Sequence, residues 1–278
     1  MMELPALELN TGRLIPQIGF GTARLPDEEV RVLVRDALAL GYTAIDTAAS
    51  YDNEIGVGQG LADSGLRRED LYVTTKLRGA DQGSASVKHA LRQSLDRLGL
   101  EYVDLYLIHW PLPRLDRYVE SWIAMTELVD EGLVRDIGVS NFTPEYLDRL
   151  AAESDTVPAV NQIELHPKFP QQAQREDDSE RGIVTESWSP LGQDGSLFTD
   201  PTVLSIADRY RKTAAQVLIR WHLDQGLVVI PKASSPARIA QNLDVLDFAL
   251  DEQDLAAMAR LDTGQRVNGQ HPAEYEEF

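Results

Sequence analysis

Short apolar runs alternate along the chain with longer segments whose apolar residues recur at helical spacing. The runs fall at 42–46, 71–76, 103–109, 134–139, 159–163, 183–188, 227–231 and, more weakly, 244–248. Each is bounded by turn residues and rich in Val, Ile, Leu and Tyr, the pattern of strands buried on both faces of a parallel sheet. Between them, the segment 28–40 sets Val30, Leu33, Val34, Ala37 and Leu38 on one stripe, with Gly41 as its stop. The device recurs over 84–98 before Gly99 and over 118–131 before Gly132. Eight strands, each joined to the next by a helix within about 250 residues, predict an α/β protein built as a single (β/α)8 TIM barrel. Ahead of it, 7–16 with Asn10-Thr11-Gly12 at its centre predicts an N-terminal β-hairpin capping the barrel floor. No linker, low-complexity stretch or repeat divides residues 1–278, so one domain is expected.

The rival architecture is a doubly wound sheet, which would carry G-x-G-x-x-G directly after its first strand. Gly56-Val57-Gly58-Gln59-Gly60 has the wrong spacing and follows Asp52-Asn53-Glu54 rather than a strand. A Walker loop, an HExxH zinc motif and a G-x-S-x-G elbow are all absent.

Barrel chemistry sits at the C-terminal ends of strands, and several of these ends carry polar groups. The first run ends at Asp46 with Tyr51 just beyond, the second at Lys76 and the third at His109; the fourth leads into Ser140-Asn141. Asp46, Tyr51, Lys76 and His109 form a coherent acid set. A carbonyl accepting hydride needs a proton on its developing alkoxide, and a free Tyr, with a pKa near ~10, is a weak donor at neutral pH. A Lys ammonium beside it would lower that pKa, an Asp would keep the Lys charged and oriented, and a His could hold the carbonyl oxygen. Taken singly, a buried Asp–Lys pair, a core His and a loop Tyr are ordinary structural residues; their meeting at consecutive strand ends is what points to function.

Composition narrows the partners. Asp and Glu number 45 against 26 Lys and Arg, a net charge of −19, with no basic stripe to meet nucleic acid or an anionic membrane. An anionic ligand must therefore find a local basic pocket. Absence of Cys excludes disulfides, thiolate metal sites and Cys nucleophiles, and no His or carboxylate pair has ligand spacing on one helix face, so no metal is expected. No run approaches the ~18–20 apolar residues of a membrane span. Met1-Met2-Glu3-Leu4-Pro5 does not resemble a secretory signal, so a cytoplasmic monomer acting on a small molecule is expected. His166, ahead of Pro167, reads as structural, and His89, His222 and His271 carry no signal.

Four segments, 46–54, 104–111, 138–142 and 231–234, resemble the aldo-keto reductase family in residue, order and spacing across the whole chain. The runs Asn161-Gln162-Ile163-Glu164-Leu165-His166-Pro167 and Ser187-Trp188-Ser189-Pro190-Leu191-Gly192 look most like prokaryotic 2,5-diketo-D-gluconate reductases. The resemblance implies NADPH-dependent carbonyl reduction, with Tyr51 as proton donor, Lys76 and Asp46 tuning it and His109 orienting substrate. It further implies that Ser140, Asn141 and Gln162 hold the nicotinamide carboxamide and that Trp188 stacks on the ring. The Leu191-Gly192 turn would approach the pyrophosphate. Lys232, Ser234 and Arg238 would take the extra phosphate that separates NADP from NAD, and Asn242 would reach the adenine. Phe20, Arg78, His109 and Trp110 would line the substrate pocket.

Three departures stand out. Arg78 replaces a usual Trp, Ala233 a common Ser and Gln241 a frequent acidic residue. Arg78 is expected to face the substrate mouth and favour substrates carrying a carboxylate. The chain stops soon after its last helix, which predicts an open pocket with no long loop closing it. Two other readings are open: a non-catalytic nicotinamide-binding regulatory protein, and a barrel glycosidase using Glu164 and Glu186, which leaves Lys76 and Tyr51 without roles.

Overall fold

The computed structural model describes residues 4–277. The hairpin forms as predicted, with β1 (Ala6–Glu8) antiparallel to β2 (Leu14–Pro16). Its Leu9 and Ile15 bury against Leu105, Leu107, Ala159, Val160 and Val228, which seals the barrel floor with apolar side chains.

Eight parallel strands follow in chain order: β3 (Gly19–Gly21), β4 (Ala44–Asp46), β5 (Tyr72–Leu77), β6 (Val103–Ile108), β7 (Val134–Ser140), β8 (Val160–Glu164), β9 (Val184–Trp188) and β10 (Val228–Val229). A parallel bridge between Ile18 and Val229 brings the first strand of the sheet to the last, with the Val229 N–H donating to the Gln17 carbonyl at 2.9 Å. Seven of the eight apolar runs are strands. The run at 244–248 is not one, and the eighth strand is instead β3, which carries Phe20 as its single large side chain between two glycines and so makes no run. Segment 244–248 is held as a loop, because Lys212 bonds Asp244 and Asp247 while Gln216 donates to the Asp244 carbonyl at 2.7 Å.

The helices are α1 (Asp27–Leu40), α2 (Glu54–Asp63), α3 (Val87–Leu98), α4 (Tyr118–Asp130), α5 (Pro144–Glu153), α6 (Gln172–Glu180), α7 (Pro201–Tyr210), α8 (Ala214–Asp224), α9 (Pro236–Leu243) and α10 (Glu252–Ala259). The predicted stripe of α1 is buried, and Gly41 ends the helix in the left-handed conformation at φ 112°. Burial of each Val or Leu of this stripe contributes about 1.5–3 kcal/mol. Gly56, Gly58 and Gly60 lie on α2 in close contact with its neighbours. A Cβ there would stand 2.0 Å from the Asp27 carbonyl, 2.3 Å from that of Leu98 and 2.6 Å from that of Arg31. These glycines let helices approach, which is why they imitate a phosphate fingerprint without its spacing. Among the described residues no helix is long and apolar enough to cross a membrane, and no cluster of three metal-ligating side chains occurs.

Candidate active site

The C-terminal mouth of the barrel assembles the four predicted residues. Asp46 ends β4, and Lys76, fully buried in β5, donates to both its carboxylate oxygens at 2.7 and 2.8 Å. The same ammonium donates to the Thr47 carbonyl at 2.9 Å and to the Tyr51 hydroxyl at 3.3 Å. A single 3-10 turn, Ala49–Tyr51, lifts Tyr51 above this pair. His109 follows β6, its ring 5.7 Å from that of Tyr51 and edge-on to it at 74°.

Burial disfavours the Lys76 ammonium, but the Asp46 charge and hydrogen bonds outweigh it, and the pKa is raised. The expectation for Tyr51 needs correction. Burial is the largest influence on the phenol and moves its pKa up; Lys76 opposes this without reversing it. Lys76 thus offsets part, but not all, of what burial costs a phenolate at Tyr51.

Below the pair, Gln162 donates its amide nitrogen to Asp46 at 2.9 Å and to the buried Glu186 at 2.8 Å, and its carbonyl oxygen has no partner among the described residues. Ser140 donates to the Gln162 backbone carbonyl at 2.8 Å. Asn141, in the left-handed conformation at φ 65°, donates to the His109 carbonyl at 3.0 Å and accepts from the Trp188 indole at 2.9 Å. Its amide is thus engaged in fixing Trp188 and the end of β6. His222 of α8, which carried no signal in the sequence, lies fully buried beneath the same rim. Its ring nitrogens contact the Ser187 hydroxyl at 3.1 Å and the Pro190 carbonyl at 3.2 Å, on either side of Trp188 and Ser189.

Beyond Trp188, Leu191 and Gly192 form a turn closed by the Gly192 N–H on the Ser189 carbonyl at 3.0 Å. Lys232, Ser234 and Arg238 are exposed around the start of α9, and neither cation makes an ion pair among the described residues. Asn242 is buried one turn further along α9. In a chain of net charge −19, two uncommitted cations beside a helix start suit a phosphate group.

The substrate side departs from expectation in two ways. Phe20 does not reach the mouth; it is fully buried in the core, edge-on to Tyr42 at 6.1 Å. The pocket is also not open. Residues 264–277 run as an irregular strap across it. The Val267 N–H donates to the buried Glu164 carboxylate at 2.6 Å, and the Tyr275 ring lies 4.4 Å from that of Trp110. Glu277 then enters the site, 2.5 Å from His109 Nδ1, and accepts the Gly79 N–H at 2.9 Å. Arg78, half-buried at the start of the Gly79–Asp81 turn, makes no ion pair with Asp81. Ser50, whose hydroxyl lies 3.1 Å from His109 Nδ1, escaped the sequence reading together with Glu277 and His222, because nothing local marks them; Glu164 and Glu186 were noticed only as candidate sugar-cleaving acids. Glu164 anchors the strap, and Glu186 underlies the Asp46–Lys76 pair.

The family model described as Aldo/keto reductase family matches residues 17–263. An aldo-keto reductase of Mycolicibacterium smegmatis is 51% identical over 263 residues, covering 95% of each chain. The methylglyoxal reductase DkgA of Escherichia coli K12 is 47% identical over 268 residues, covering 96% of this chain and 97% of that one. The crystal structure of a Bombyx mori aldo-keto reductase in complex with NADP superposes with a TM-score of 0.91 at 38% identity, covering 96% of this chain and 95% of the other. With its barrel and strand-end residues, the chain belongs to the aldo/keto reductase family.

Proposed function

We propose that this protein reduces an aldehyde or ketone to an alcohol with NADPH, and that Tyr51 delivers the proton. The observation that carries the reading is the contact of one buried ammonium, Lys76, with both Asp46 and the Tyr51 hydroxyl at the barrel mouth. The similarity to DkgA and the NADP of the Bombyx mori complex support it. NADPH, when bound, supplies the hydride. Gln162, with its free carbonyl oxygen, and Trp188, fixed through Asn141, would hold the nicotinamide end; Lys232, Ser234, Arg238 and Asn242 would hold the adenosine and its phosphate.

The chain's own contribution is to hold a proton where an alkoxide forms. His109 and Tyr51 bracket the position of a carbonyl oxygen, and as that oxygen gains charge the phenol proton moves to it. Lys76, kept charged by Asp46, then stabilises the phenolate in a site shielded from water. Arg78 beside the mouth would favour substrates with a carboxylate, such as keto acids or ketogluconates. NADPH oxidation against a panel of neutral aldehydes, ketones, keto acids and keto sugars tests the reading. Tight NADPH binding without turnover of any of them would favour a regulatory role, and glycoside hydrolysis without nicotinamide would favour a glycosidase.

A further inference from the structure

The strap does more than cover the mouth. It brings a carboxylate to the groups that should face substrate, in a protein whose surface repels anions. Glu277 is 9% exposed and held by His109 Nδ1 at 2.5 Å and by the Gly79 N–H at 2.9 Å, with the Ser50 hydroxyl at the same corner, 3.1 Å from His109 Nδ1. Burial would push its carboxyl pKa up, yet His109, Ser50 and the Gly79 N–H together hold it below the ordinary value. The corner therefore stabilises a carboxylate rather than a carboxylic acid.

The rest of the strap contributes no strand or helix to the barrel. Between its anchor at Val267 and the Tyr275–Trp110 contact it has no regular structure, and most of its side chains are exposed. The strap approaches closely at Gly79, where a Cβ would stand 2.7 Å from the Glu277 carbonyl oxygen and 2.5 Å from the more yielding end of the Leu112 side chain. While seated, Glu277 also raises the pKa of the Tyr51 phenol, so its departure leaves Tyr51 a better acid.

We propose that His109 Nδ1, Ser50 Oγ and the Gly79 N–H form a carboxylate-binding subsite, that Glu277 of the same chain fills it in the resting protein, and that small carboxylate ligands enter by displacing the strap. The inference rests on the carbonyl-reductase reading for its kinetic test but not for its binding test. Glu277 then acts as an internal competitor. A neutral carbonyl must work against the seated strap, whereas a substrate with its own carboxylate replaces the bonds it breaks. That exchange is close to neutral in hydrogen bonds, so a carboxylate occupies the corner in preference to a neutral aldehyde of equal size and competes there for His109.

The test uses acetate as the probe and propanal as the neutral substrate, in the wild type, E277Q and G79A. Removing the internal charge should lower the KM for propanal and the competitive inhibition constant of acetate, each by at least about fivefold. G79A should also lower the KM for propanal, by pushing the strap off, but should weaken acetate because the N–H corner is crowded. In parallel, acetate is titrated into each protein by tryptophan fluorescence, with Trp110→Phe as the reference that loses the strap signal. Acetate should bind E277Q at least about fivefold more tightly than wild type in that assay, whether or not any carbonyl is turned over. Values for E277Q within about twofold of wild type in both assays would overturn the proposal, as would a rise in the KM for propanal with unchanged acetate binding, which marks a mere pocket wall. Absence of turnover in every variant would sink the reductase reading instead, leaving the fluorescence result to judge the subsite.

Discussion

Glu186 accepts a hydrogen bond from Gln162 at 2.8 Å, and the same amide nitrogen donates to Asp46 at 2.9 Å. One neutral side chain thus bridges two buried carboxylates under a single ammonium. Burial, reinforced by the Asp46 charge, pushes the Glu186 pKa up to about 7, against the bond from Gln162 and the charge of Lys76.

This arrangement makes stability fall with rising pH. The unfolded Glu186 loses its proton near its ordinary value of 4.5, while the folded one keeps it to about 7. Across that window the unfolded chain binds fewer protons, so the contribution of Glu186 to stability declines as pH rises and stays lost above it. Glu186→Gln should flatten that part of the profile. Thermal midpoints of both proteins from pH 4.5 to 8 provide the check, and parallel profiles would refute it.

His222 acts with the opposite sign. Burial lowers its pKa to about 3 from an ordinary 6.5. Between those values the unfolded chain binds more protons, so the contribution is complete above pH 6.5 and is lost as pH falls towards 3. His222→Gln, able to keep a bond to Ser187 or Pro190, should reduce the loss of denaturation midpoint between pH 6.5 and 4. An equally steep acid loss in the variant would exclude His222 as its source.

Tyr51→Phe should lower kcat by about 10²–10⁴-fold, since the hydroxyl gives its proton only in the transition state. NADPH affinity should hardly change, because the aromatic ring remains and the hydroxyl bonds Lys76 rather than any residue proposed to hold NADPH. Fluorescence titration with NADPH beside steady-state turnover separates the two. Near wild-type turnover would remove Tyr51 from the proton-donor role.

Lys76→Met should damage both turnover and folding. It leaves Asp46, 3% exposed, as a buried charge without its partner. Breaking such a pair from one side costs about 3–5 kcal/mol. Urea denaturation at pH 7 measures it; a midpoint equal to that of the wild type would contradict a charged Asp46–Lys76 pair.

Arg238→Ala should weaken NADPH by about tenfold and leave NADH nearly unaffected, the low end for a charge-assisted bond at an exposed site. Equal losses for both cofactors would take Arg238 out of the phosphate site.

Much of this protein was legible along the chain. Strands buried on both faces of a parallel sheet tend to be rich in apolar residues, and seven of the eight runs became strands. The hairpin was marked by Asn10-Thr11-Gly12, and the four residues at the barrel mouth could be named because parallel strands end on one face, so their order along the chain maps to neighbours in space. What remained hidden depends on contacts far apart in sequence. Strand β3 has no run because a single Phe between glycines is enough where Ile18 meets Val229 to close the barrel. The net direction of the Tyr51 pKa is set by burial, which no spacing of residues reveals. Glu277 lies 168 positions from His109 in sequence, and its side chain differs in no local way from the acidic residues beside it. Only the path of the strap, pinned by Glu164 and by Trp110, turns that surface-like glutamate into an occupant of the active site.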